Sequence, residues 1–347
     1  MLDKIIVKAP GIIKLLGEHA VVYGKLSLAV AVSIYAEVSA KKVKNRLLTI
    51  RNADFKKVNK FSSAELTKMY KEYISKENIA SYVEKNGAVE ALMLPYATIA
   101  ARLQEEFHIT LVGYYLRIKS RIPSQSGLAS SASCYTAFTV ALAKASGAEI
   151  PDDKLVDVAR DGERVSHLNV GAGAIDVNTS FYGGYVSFSK EQGAKRESLG
   201  ISPKLLLINT GPKKPTSETV GNVARLYREQ KEDTEMKLNR IEECSREGLK
   251  ALKESNLRKL GKLMLEDQEL LRQLGVSSPG LDKAVEIAMA NGALGAKLSG
   301  GGGGGIAVAL ISGGARKLKE PLEKEGFTVY KAAKVSNQGA REYLHRQ

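Results

Sequence analysis

The sequence predicts an α+β protein of two domains, and three observations carry that expectation. At 347 residues the chain is longer than one hydrophobic core commonly organises. Strand-like and helix-like stretches are interspersed without a regular strand–helix alternation, which argues against a wound parallel sheet. Between residues 189 and 202 the chain turns polar and glycine-containing, so residues 1–190 and 191–347 are taken as the two domains.

In chain order, residues 5–8 and 12–16 are short apolar runs separated by Ala9-Pro10-Gly11, which reads as a turn between two strands. The glycine-bounded stretch from Gly17 to Gly24 follows. Leu26, Leu28, Val30, Val32 and Ile34 then alternate with small residues, the period of a strand with one apolar face. Residues 47–51 form another strand. Ser62 and Glu65 have the spacing of a capping box and open a helix over 62–76. Residues 81–107 read as helix, kinked or broken at Pro95. Leu116 and Ile118 alternate with Arg117 and Lys119 in a strand leading to Pro123. A helix rich in alanine follows Ser131 and stops near Gly147. Pro151-Asp152-Asp153 starts the next, which carries Glu163; a glycine-rich loop then ends in Asp176, ahead of a strand over 185–188.

In the second half, 205–208 is a buried-type strand. Helices follow over 217–232, 235–254, 257–274 and 281–290, with Gly275 as a stop. Strands over 296–298 and 306–311 flank six consecutive glycines, from Gly300 to Gly305. A helix over 315–324 and a strand over 328–335 complete the chain.

Composition narrows the function classes. The formal charge is +14, but lysine and arginine are dispersed among glutamates, aromatics make 6% and tryptophan is absent. A nucleic-acid partner is therefore not expected, and a polyanionic small substrate accounts equally well for a positive field. No apolar run is long enough for a membrane span. The N-terminus lacks a secretory pattern, and two cysteines are too few for a disulfide framework, so a cytoplasmic location is expected.

The chemistry-bearing stretch is residues 122–138. A small-residue loop containing Gly127, Leu128 and Ala129 runs into a helix start at Ser130 and Ser131. Unpaired amides and the positive end of the helix dipole meet there, a natural cradle for phosphate. Hydroxyls in that place can ligate a magnesium ion held by the phosphates, or simply cap the helix; this stretch alone allows both. The polyglycine run, flanked by strands, suits close backbone approach better than a linker. Glu163 and Asp176 lie near small-residue loops, as carboxylates for metal and acceptor must in phosphoryl transfer. His19, beside Glu18 in a turn, could hold a polar substrate, and Lys14 could neutralise phosphate charge. No His, Cys or Asp set has zinc spacing, and no Gly-x-Ser-x-Gly elbow surrounds Ser130.

Three motifs, in order, carry a resemblance. They are Ala9-Pro10-Gly11-Ile12-Ile13-Lys14-Leu15-Leu16-Gly17-Glu18-His19 running on to Gly24, Ile122-Pro123-Ser124-Gln125-Ser126-Gly127-Leu128-Ala129-Ser130-Ser131-Ala132, and Gly295-Ala296-Lys297-Leu298-Ser299 before the glycines. Together they resemble the GHMP kinases, the superfamily of galactokinases, homoserine kinases, mevalonate kinases and phosphomevalonate kinases. The residues from Gly17 to Gly24 and from Leu274 to Asp282 are most similar to its mevalonate-phosphorylating branch. The resemblance implies a domain like part of ribosomal protein S5, then a ferredoxin-like domain, with ATP and substrate in the cleft between them. It implies phosphate binding by the amides of Gly127, Leu128, Ala129, Ser130 and Ser131. It further implies Mg²⁺ ligation by Ser131 and Glu163, with Ser130 as understudy. By the same resemblance Asp176 contacts the reacting hydroxyl, Glu18 and His19 face the mevalonate end, and the third motif braces the loop.

The implied reaction is ATP-dependent phosphorylation of the primary hydroxyl of mevalonate, with ATP as co-substrate and Mg²⁺ as cofactor. Small molecules are the implied partners, a homodimer being allowed. A sister kinase acting on phosphomevalonate or on the 3-hydroxyl, and a non-catalytic ligand-binding homologue, stay open at this point. Two departures from the family pattern matter. Ile12 stands where a lysine is usual; Lys14 shares its strand face about 7 Å further along, and is expected to substitute. Gln125, Ser126 and Ala129 stand where Gly, Ala and Gly are usual, and Ala129 is expected to keep a negative φ.

Overall fold

The computed structural model describes residues 4–74, 93–123, 127–166, 173–212, 214–331 and 333–343. The 81–92 part of the helix predicted over 81–107, loop residues Ser124, Gln125 and Ser126, and residues 167–172 lie outside the described residues.

Two sheets organise the fold. The first has eight strands: β1 (Ile5–Leu16), β2 (Ser27–Lys42), β3 (Leu48–Asn52), β4 (Lys57–Phe61), β5 (Tyr114–Ser120), β6 (Tyr185–Ser189), β7 (Gly193–Glu197) and β12 (Arg341–Glu342). Its main path is β12-β1-β2-β5-β3-β4, with β6 on β2 and β7 on β6. Among the described residues only β3 and β5 pair in parallel. Strands β7 and β12 lie beyond residue 190 in sequence, yet both pair in this sheet. The second sheet comprises β8 (Lys204–Asn209), β9 (Gly295–Leu298), β10 (Ile306–Ile311) and β11 (Thr328–Val329), in the order β11-β8-β10-β9. With helices between β8 and β9 and between β10 and β11, this is the β-α-β-β-α-β arrangement of a ferredoxin-like unit.

Strand β10 shows why these residues form a central strand. Ile306, Val308 and Leu310 join the core shared with the first sheet, while Ala307, Ala309 and Ile311 join the core under the C-terminal helices. Both faces are buried, so the run is apolar throughout. Helix Ser130–Ser146 lies across β1 and β2, and its residues 132–143 are buried, which its alanines permit.

Several expectations shift. Residues 5–16 form one strand, not two; the register with β2 slips between Pro10 and Gly11. The Pro10 carbonyl accepts from the Ser133 and Ser180 hydroxyls, at 2.8 and 2.9 Å, so the irregularity pins two helices to the strand. Pro95 sits in the first turn of helix Leu94–Glu106, where its missing N–H costs nothing. The capping box at Ser62 forms, but the α-helix it opens ends at Met69 and gives way to a π turn. The strand expected over 328–335 is only Thr328–Val329, with single bridges at Ala333 and Val335. No described helix is long and apolar enough to cross a membrane.

Candidate active site

The site forms where the three motifs touch. The Ile12 amide donates to the Leu128 carbonyl at 3.1 Å, joining β1 to the small-residue loop. Gly127 has φ +83°, and a methyl there would lie 2.6 Å from the Ser299 carbonyl oxygen; Gly300 faces the Gly127 backbone in turn. Loop and third motif therefore meet backbone to backbone, and side chains are excluded between them.

Helix Ser130–Ser146 begins directly after the loop. Its N-cap is Ala129, at φ 50° and ψ 45°, with no side-chain cap bond. The negative φ expected for Ala129 is not observed. Ala129 holds the left-handed conformation despite its Cβ, at a cost of roughly 1–2 kcal/mol. Neither Ser130 nor Ser131 is the N-cap, and among the described residues no side chain caps the first-turn amides.

Lys14 and Asp176 come together on the same side. Lys14 Nζ lies 2.9 Å from Asp176 Oδ2. Burial alone pulls the Lys14 pKa down; Asp176 first, then Glu18 and Glu163, outweigh burial and hold it above the ordinary lysine value. Asp176 sits in the first turn of helix Ala174–Tyr182, near the positive end of the dipole. Its Oδ1 is buried with no hydrogen-bond partner among the described residues. Glu163 is buried against Gly173, where a Cβ would come within 2.9 Å of the Glu163 side chain. Ile12 is buried with Ala29 and Ile175, an apolar position in which a lysine would be desolvated.

The glycine run is pinned at successive points. Gly303 N donates to the Val276 carbonyl at 2.8 Å, Lys214 N donates to the Gly303 carbonyl at 3.1 Å, and Thr210 N to the Gly305 carbonyl at 2.8 Å. A methyl on Gly302 would lie 2.0 Å from the Val276 oxygen. His19 Nε2 lies 3.0 Å from the Gly301 carbonyl, to which it donates. The run is a scaffold rather than a linker.

Glu18, expected to face the substrate, is 1% exposed. Its Oε1 lies 2.5 Å from Lys297 Nζ, which is 3.5 Å from Asp267 Oδ2. Lys297 is expected from sequence only as part of the third motif, and Asp267 has no expected role. Two signals marked them: a lysine inside an otherwise apolar four-residue strand, and an aspartate on the apolar stripe of Leu260, Met264 and Leu271.

The chain matches the family model described as GHMP kinases N terminal domain over residues 94–184, and that described as GHMP kinases C terminal over 249–327. It is 32% identical to a mevalonate kinase of Thermococcus sibiricus, covering 97% of this chain and 98% of that protein. It is 31% identical to one of Pyrococcus furiosus, covering 94% of each. A crystal structure of the Methanococcus jannaschii mevalonate kinase superposes with a TM-score of 0.79 at 25% identity, covering 96% of this chain and 99% of that one.

Proposed function

The chain belongs to the GHMP kinases, and we propose that it transfers the γ-phosphoryl group of ATP to the primary hydroxyl of mevalonate, giving 5-phosphomevalonate for isoprenoid synthesis. The observation that carries this to particular residues is the Lys14–Asp176 pair beside the small-residue loop, with one carboxylate oxygen left for an acceptor.

In this reading the amides of Gly127, Leu128, Ala129, Ser130 and Ser131 receive the phosphates at the helix start. Asp176 Oδ1 takes the hydrogen bond of the acceptor hydroxyl, orients its oxygen towards the γ-phosphorus and accepts its proton as the new P–O bond forms and the bond from the γ-phosphorus to the bridging oxygen breaks, releasing ADP. Lys14 fixes Asp176 and places positive charge where the phosphate oxygens crowd. His19, held on the Gly301 carbonyl, fixes the acceptor end, and Glu18 supports that end from beneath.

The residues fit a magnesium ion. The donors on offer are a carboxylate, Glu163, and a hydroxyl, Ser131, hard oxygens that suit an ion which otherwise keeps water and phosphate ligands. Among the described residues no cluster of three or more His, Cys, Asp or Glu side chains competes as a metal cage. When bound, the ion neutralises charge on the phosphate oxygens. We place the protein in the cytoplasm, which its two free, buried cysteines favour.

Incubation with Mg-ATP and mevalonate, read by ³¹P and ¹³C NMR, tests the reading. Phosphate on the primary carbon is expected. Phosphate on the tertiary oxygen, or ATP binding without product, overturns it.

A further inference from the structure

Four residues at the end of β1 and in the turn after it are each fastened to the second sheet or its helices. The Lys14 amide donates to Ser299 Oγ at 3.2 Å. The Gly17 amide donates to Asp267 Oδ2 at 3.3 Å. Glu18 pairs with Lys297 at 2.5 Å, and His19 bonds the Gly301 carbonyl at 3.0 Å. Gly17 is required for this turn: its φ is +93°, and a Cβ would lie 2.5 Å from Ser27 Cα.

Lys297 and Asp267 are both 0% exposed, and among the described residues neither shares a hydrogen bond or ion pair with Lys14 or Asp176. Lys297 Nζ also donates to the Leu298 carbonyl at 2.8 Å. Two carboxylates and one ammonium, from a turn, a helix and a strand, thus meet in the dry interior. An apolar cluster of similar volume is often as stable as such a group, or more so. Stability alone therefore gives a weak reason for three charges here. What they do supply is direction, because Lys297 ends on Glu18 and Asp267 on the Gly17 amide, both in the turn that carries His19 and follows Lys14.

We propose that Lys297 and Asp267 are positioning residues for phosphoryl transfer, clamping the Gly17-Glu18-His19 turn so that Lys14 and His19 hold their register against the phosphate loop. This rests on the proposed kinase function, and its test is built to fail separately from it. The pair acts through other residues; neither needs to touch substrate.

The decisive protein is the double variant Lys297→Met/Asp267→Leu, which removes a cation and an anion together and leaves apolar side chains in their place. It leaves Glu18 buried without its ammonium partner, so its Tm is expected to fall, while the circular dichroism of the folded protein stays that of wild type. Its kcat is expected to fall on the order of 10²-fold, the effect of a displacement of about 1 Å at the reacting groups, while the KM values move by less than about threefold. Asp267→Asn, which keeps an acceptor for the Gly17 amide, is expected to restore kcat to within about threefold of wild type. A double variant that folds and turns over like wild type overturns the proposal. Where the double variant does not fold, Asp267→Leu compared with Asp267→Asn decides by the same split. Amide hydrogen exchange over residues 14–19 gives a readout independent of which alcohol is phosphorylated. Faster exchange there, with the rest of the first sheet unchanged, is expected; unchanged exchange overturns the clamp even if mevalonate turnover stands.

Discussion

Replacing Lys14 by methionine removes the ammonium 2.9 Å from Asp176 while keeping most of the side chain's apolar bulk. At an effective dielectric constant of about 20, two unit charges at that separation attract by about 6 kcal/mol, before the cost of removing both from water. The side chains retain 20% and 12% exposure, so some of that attraction is screened. Breaking a buried pair by deleting one partner costs about 3–5 kcal/mol, and the lower end suits this half-open setting. The Tm of Lys14→Met should therefore fall, and kcat should drop by about 10²–10³, as on losing one preorganised charge at a transition state. A coupled assay of ADP release measures the second effect and thermal unfolding the first. The double variant Lys14→Met/Asp176→Asn separates them. It no longer carries an uncompensated carboxylate, so its Tm should recover while its turnover does not exceed that of Asp176→Asn alone. Turnover by Lys14→Met within about threefold of wild type would refute the assignment of Lys14 in place of the lysine absent at Ile12.

Three further outcomes are expected. Asp176→Asn should bind ATP with unchanged affinity, by calorimetry, and lose turnover by about 10²–10⁴. Ala129→Gly relieves a left-handed alanine at φ 50°. The relief of roughly 1–2 kcal/mol exceeds the added unfolded-state entropy of about 0.4–1 kcal/mol, so denaturant unfolding should show a small gain in stability. The third concerns Asp267, whose pKa burial and then Glu18 push up, against Lys297 and the Gly17 amide, to about 7 from 3.8. Cys244, on the neighbouring helix, is raised by burial first and by Asp267 next, to about 12. A carboxyl raised on folding contributes stability that is complete below its unfolded pKa and lost as pH climbs to its folded one. Wild type should thus lose stability relative to Asp267→Asn from about pH 4 to pH 7, by up to about 1.4 kcal/mol per pH unit, and run parallel to it above pH 7. Parallel stability curves below pH 7 would show that Asp267 is ionised there.

Much of this molecule is legible in its sequence because its signals are periodic or local. The double-faced burial of β10 is written in an unbroken apolar run, and the capping box at Ser62 in two residues three apart. The same holds for Lys14, whose strand period puts it two residues from Ile12 on one face. What stayed hidden depends on groups distant in sequence. Nothing near Pro10 reveals that β1 continues through it, because its carbonyl is satisfied by hydroxyls 123 and 170 residues away. Ala129 has a Cβ that disfavours a positive φ, yet its φ is 50° because its backbone is fixed from outside. Leu128 beside it bonds β1, Gly127 abuts Ser299, and the helix begins at Ser130, so its backbone has no freedom to relax. Asp267 is the intermediate case. Its place on an apolar stripe announces that a charge is buried, but its partners, Lys297 and the Gly17 amide, lie 30 and 250 residues away. A charged residue at a core position says that a partner exists, and the fold alone says which. Here the fold names the turn that carries His19, and this is why the proposed function ties that buried aspartate to the residues beside the phosphate loop and not only to the packing of its helix.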